Sequence, residues 1–174
     1  MYHPADNADA EYVELTNISD HATILYNDSV NQAWRFTDNP DNPGIDLTFP
    51  INPSIQLAAG ERLLLVRNSF AFNSTYTVPA NAQILEWTGG RLSNAGEKIQ
   101  LSRPDDLGNG GQPVWVRVDR VNYSDGAHHD QFDAGIDPWP AQADGDGDSL
   151  QKIDPALYGN DPANWIAALP TPGL

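Results

Sequence analysis

Residues 114–123 read VWVRVDRVNY. Aliphatic and aromatic β-formers alternate here with Arg and Asp, as in a strand with one buried face. The alternation changes phase within the run. Val114, Val116 and Val118 share one parity, and Val121 and Tyr123 share the other. A β-bulge near Asp119-Arg120 would return both sets to one core, so a bulged strand is expected. Trp115 has the opposite parity to the valines and is expected to face outward.

Upstream of this strand, residues 91–101 read RLSNAGEKIQL: a turn at Asn94-Ala95-Gly96 feeding a strand over 98–101, with Gly96 free to take positive φ. Residues 105–111 read as a loose hairpin loop joining the two. Further back, RLLLVR (62–67) is a nearly continuous apolar run, expected as a strand buried on both faces. YVELTN (12–17), ATILY (22–26), AWRFT (33–37) and QILEW (83–87) are further strands. IDLTFP (45–50) and SIQL (54–57) are flanked by prolines and are expected at sheet edges. Residues 68–80 give no clear period, with Phe70, Phe72 and Tyr76 expected to cover one end of the core. Downstream, residues 124–136 are polar and acidic and read as a surface loop. A last short strand follows at 150–153. Asp154-Pro155 and Asp161-Pro162 each place a cap residue before proline and start a helical turn. Proline-stiffened residues 170–174 read as a linker, which leaves 1–169 as one domain.

Helical periodicity is nearly absent from these 174 residues, and 14 Gly and 14 Pro interrupt almost every segment. With 40% hydrophobic residues the chain carries enough apolar material for a real core. Its formal net charge of −15 sets it against nucleic acid and anionic membrane surfaces as partners. There is no Cys, hence no disulfide framework, and no apolar run long enough to insert into a membrane. Residues 1–4, MYHP, look like the end of a strand, so the natural N-terminus is expected further upstream.

The order of these pieces resembles the lamin-tail domain, and looks most like its bacterial members in large secreted or surface proteins. YHP (2–4) looks like the end of that family's first strand. EYVELTN (11–17) is similar to its opening element, and LAAGERLLLV (57–66) has its turn and buried strand. LSNAGEKIQL (92–101) resembles its "L-x-N-x-G-E-x-I-x-L" element, and VDRVNYSD (118–125) its strand before the last turn. Trp139-Pro140, DGDGDSLQKID (144–154), DPANW (161–165) and PTPG (170–173) resemble its C-terminal elements. There are two departures. Residues 126–138 intervene where the family's step from "Y-x-D" to "WP" is usually short, and its Trp-containing second strand is matched only loosely at Ala33-Trp34.

The resemblance implies an all-β, immunoglobulin-like β-sandwich with short helical turns near the C-terminus. It also implies a non-catalytic interaction or attachment module, covalently linked to other domains of a larger extracellular or cell-surface protein. A protein or a cell-surface polysaccharide would be the partner.

Three groups of residues could carry chemistry. Asp144, Asp146 and Asp148 alternate with Gly145 and Gly147, a spacing that lets a loop curl around a hard cation. They are the expected metal ligands, with a structural Ca2+ as the ion and Asp154, Asp6 or Asp9 as further oxygens. Asp and Gly are equally the residues of a tight turn, and no Glu stands at the twelfth position of an EF-hand loop. His128 and His129, with Asp130 and Asp133, could serve a metal-dependent hydrolase, although neighbouring side chains of an extended segment point apart. Glu11 with Glu14, or Glu86 with Glu97, could be imagined as an acid/base pair, against the simpler reading of strand residues facing water. Trp34, Trp87, Trp115, Trp139 and Trp165 would make the chain a carbohydrate-binding module only as exposed, coplanar rings.

Overall fold

The computed structural model describes residues 1–39, 44–132 and 134–174, and over these the chain is mostly β. In chain order the strands are β1 (Tyr12–Thr16), β2 (Thr23–Ile24), β3 (Tyr26–Asn27), β4 (Gln32–Ala33), β5 (Arg35–Thr37), β6 (Asp46–Thr48), β7 (Gln56–Leu57), β8 (Arg62–Val66), β9 (Gln83–Glu86), β10 (Gly96–Leu107), β11 (Pro113–Ser124), β12 (Ser149–Lys152) and β13 (Trp165–Ala168). One α-helix, α1 (Ser69–Thr75), lies between β8 and β9. The two larger sheets run β1-β8-β9 and β11-β10-β5-β6, and β2-β7, β3-β4 and β12-β13 are separate pairs. No helix among the described residues is long and apolar enough to cross a membrane.

The run RLLLVR becomes β8, at the centre of its sheet, and Leu63, Leu64, Leu65 and Val66 are all buried. Alternate residues feed opposite faces. Leu63 and Leu65 join Val13 and Leu15 of β1 in the main core, where Phe36, Leu47, Leu101, Ile99 and Tyr123 of the four-stranded sheet also pack. Leu64 and Val66 join Tyr12 and Phe72 in a second cluster beneath α1. A sheet covered on both faces explains why β8 shows no apolar–polar alternation.

The helix answers the segment without a clear period. Asn68 caps it, its side chain accepting the Ala71 N–H at 2.9 Å. Phe72 is fully buried against Tyr12 and Tyr76, whereas Phe70 is exposed. The helix carries the chain from β8 over to β9, so these two strands pair in parallel, from Leu63↔Gln83 to Val66↔Glu86.

β10 and β11 form the longest hairpin. Its register slips between Leu101↔Asp119 and Ser102↔Arg117, so the extra residue is Val118, one position before the expected bulge. The bulge brings Val121 and Tyr123 to the core, but Val114 and Val118 stay exposed rather than joining it. β10 also runs on to Leu107, through residues read from sequence as loop, and the turn is confined to 108–112. As expected, β6 is a sheet edge.

Near the C-terminus Asp161 caps a single 3-10 turn, Pro162–Asn164, its carboxylate accepting the Ala163 N–H. The chain then enters β13, which pairs antiparallel with β12. Residues 170–174, read as a linker, lie along the body: Pro172 is buried and the Gly173 N–H donates to Glu14 Oε2 at 2.7 Å.

Candidate functional site

The end of β11 delivers Ser124 and Asp125, and the loop after it folds back on them. His128 Nδ1 lies 2.9 Å from Asp125 Oδ1 and 3.3 Å from Ser124 Oγ. The Ser124 hydroxyl donates to Asp137 Oδ2 at 2.5 Å, and the His128 N–H donates to the same oxygen. The Trp139 N–H donates to Asp137 Oδ1. The buried Asp137 carboxylate therefore sits among three donors. Burial opposes its charge, but the Ser124, Trp139 and His128 hydrogen bonds and the nearby His128 ring outweigh this and hold the carboxyl below its usual range. A cleft of about 290 Å³, with Ser124, His128 and Trp139 in its wall, opens beside the group.

Among the described residues, ligand atoms of Asp125, His128 and Asp137 come within 4.8 Å of one another. This is a different set from the one expected. His129 Nδ1 instead accepts the Asp137 backbone N–H at 3.2 Å, Asp130 is exposed, and Asp133 lies outside the described residues. Asp125 and Asp137 escaped sequence reading because loop closure, not spacing, brings them together. The adjacent histidines alone pointed to this loop.

Asp144, Asp146 and Asp148 form no such grouping among the described residues. Asp144 turns to His3, Oδ1 to Nδ1 at 2.6 Å, and Asp146 is exposed. Gly145 (φ +80°) lies against the His3 ring, where a Cβ would come within 3.1 Å of Cε1. In this arrangement the loop docks the N-terminal segment, and its positive-φ glycines do the turning.

The imagined acid/base pairs are each engaged by the fold. Glu11 is buried, not facing water, and accepts the Leu92 N–H at 2.9 Å beside Arg67. Glu14 pairs with Arg62 and takes the Gly173 N–H. Glu86 caps α1 through the Ser69 N–H. Glu97 accepts the Ser93 N–H and the Tyr123 hydroxyl, and burial raises its pKa against those bonds. Of the five tryptophans, Trp87 and Trp139 are buried and Trp34, Trp115 and Trp165 are half-buried. Trp165 tilts against Trp139, and the Arg35 guanidinium stands 5.9 Å from the Trp115 ring centre.

A larger groove, about 520 Å³, opens between β1, the β10–β11 hairpin and β12–β13. Its floor is apolar, with Val13, Leu15, Ile99, Leu101 and Val121 only partly covered. Ile18, Val118, Leu157, Tyr158 and Leu174 also line it and are exposed. Arg62 Nε is 3.2 Å from Glu14 Oε1, close enough for an ion pair but not aligned for a hydrogen bond. Arg120 Nε is buried in the same wall without a partner among the described residues.

Comparison with protein-family models, curated proteins and solved structures returns no match for this chain.

Proposed function

We propose that this chain is a non-catalytic interaction module, built as an immunoglobulin-like β-sandwich of the lamin-tail kind and carried on a secreted or cell-surface protein. The observation that carries the reading is the groove. Five large apolar side chains, Ile18, Val118, Leu157, Tyr158 and Leu174, stand exposed around one apolar floor. Scattered apolar residues are ordinary on a surface, but a contiguous group around a concavity marks a place where another surface docks. The sandwich reading is supported by the shared core of the two larger sheets. It is further supported by the work of residues in the lamin-tail-like elements: Glu11, Asn17, Glu97, Tyr123 and Trp139 all hold the fold through hydrogen bonds or burial.

A protein partner suits this surface better than a polysaccharide. Carbohydrate platforms use exposed coplanar aromatic rings, and no tryptophan here is fully exposed. The test is site-specific photocrosslinking of the protein in its native setting, with the probe at Val118 or Tyr158 and a control at the exposed Phe70 on α1, which does not line the groove. Discrete adducts from positions 118 and 158, absent from 70, are expected. Equal labelling from all three positions, or none, would remove the groove as the interaction surface.

A further inference from the structure

We infer that Asp125, His128 and Asp137, with the Ser124 hydroxyl, form a binding site for a first-row divalent cation of the zinc class, which clamps His128 and Asp137 to the end of β11. The inference stands apart from the interaction reading, since none of these four residues lines the larger groove.

The donor set comes first. It holds one imidazole nitrogen, two carboxylates and a hydroxyl, a mixed N/O set that suits zinc and its neighbours. Calcium prefers six to eight oxygens and gains little from an imidazole. Spacing comes next. Ligands bound at ~2.0–2.2 Å around a tetrahedral or octahedral ion lie roughly 3.0–3.5 Å apart along the polyhedron edges. The observed separations from His128 Nδ1 are 2.9 Å to Asp125 Oδ1 and 3.3 Å to Ser124 Oγ. An ion held among these atoms needs the Ser124 hydroxyl hydrogen to turn away, the imidazole proton to sit on Nε2, and Ser124 Oγ and Asp137 Oδ2, now 2.5 Å apart, to separate.

The supporting shell is already built. The His128 and Trp139 N–H groups orient Asp137, and the Ala127 N–H fixes Asp125 Oδ1 at 2.8 Å. The cleft beside Ser124 and His128 gives an entry path.

The experiment titrates metal-free protein with Zn2+ by calorimetry, and with Co2+ as a visible-absorbance probe of the coordination. One saturable site per chain is expected, with a higher melting temperature in Zn2+. His128→Ala and Asp125→Asn, both at partly buried positions, should weaken binding by ~10-fold or more while circular dichroism stays unchanged. His21→Ala and Asp146→Asn should bind as the wild type does. Binding unchanged in His128→Ala, or no saturation at millimolar Zn2+, would overturn the site. A site that takes Ca2+ in preference to Zn2+ would overturn the assignment of the ion.

Discussion

Glu11 is the most deeply buried carboxylate among the described residues. It is 2% exposed, accepts the Leu92 N–H at 2.9 Å and lies 3.5 Å from Arg67 Nη1. Glu11→Ala strands a buried N–H, which costs ~1–3 kcal/mol. It also removes one partner of a buried ion pair, a change that costs ~3–5 kcal/mol when the remaining charge is left alone. Arg67 is not left alone, because Asp9 Oδ1 at 3.2 Å and the Ala8 carbonyl at 3.3 Å still hold it. The expected loss is therefore near the lower end, ~3 kcal/mol, or roughly 6–12 °C in Tm for a domain of this size.

Glu11→Gln separates charge from shape. Burial raises the pKa of Glu11, and the Leu92 N–H, Arg67 and Arg91 only partly offset it. The folded protein then holds a proton that the unfolded chain has released, so this group makes stability fall as pH rises from the unfolded pKa through the folded one. Glutamine lacks that slope. The margin of wild type over Glu11→Gln should shrink as pH rises above about 4.5, in urea unfolding followed by Trp fluorescence. A loss below ~1 kcal/mol in Glu11→Ala, or a margin that grows with pH, would refute the reasoning.

Phe72→Ala should cost ~3–5 kcal/mol in chemical denaturation, because the ring is fully buried between Tyr12 and Tyr76. Phe70→Ala, two residues away and 84% exposed, should stay within ~0.5 kcal/mol, and equal effects would place α1 the wrong way round. Gly96→Ala should destabilise by about 2 kcal/mol or more, since φ is +105° and the new Cβ would fall 2.5 Å from the Tyr123 carbonyl oxygen. A neutral result in a thermal melt would contradict that turn. Metal-free protein should melt at the same temperature with and without millimolar Ca2+, and Asp146→Ala should match it, because Asp144, Asp146 and Asp148 do not converge. A calcium-dependent rise lost in Asp146→Ala would instead make the loop a calcium site.

Much of the sheet was legible because burial leaves a simple trace. A run such as RLLLVR says that both faces are covered, and the phase change in VWVRVDRVNY says that a residue is inserted. What the pattern does not carry is the partner. Nothing in QILEW announces that β9 runs parallel to β8, a fact fixed by α1 between them. That helix itself is too short for its period to show: seven residues make barely two turns. The segment over residues 22–37 hides four two- or three-residue strands inside two apparent ones, because Leu25 and Trp34 leave the ladder between them. At the site, His128 was readable as a metal-ligating type. Asp137 was not, since its role depends on a loop returning to Ser124 across a sequence gap that no local rule spans.

The hairpin holds two kinds of material. Residues 100–102 of β10, which straddle the bulge at Val118, are flanked by β11 on one side and β5 on the other. Past Ser102 the ribbon has lost β5, and apart from Asn27 reaching the Pro104 and Asp105 carbonyls its ladder bonds are its own. An isolated two-stranded ribbon is marginal in water. Its amides should therefore trade hydrogen for deuterium through local fraying, while those near Leu101 wait for the whole domain to open. A single covalent hairpin would then keep two clocks, with the last β5 pair at Ser102, just past the Val118 insertion, as the boundary between them.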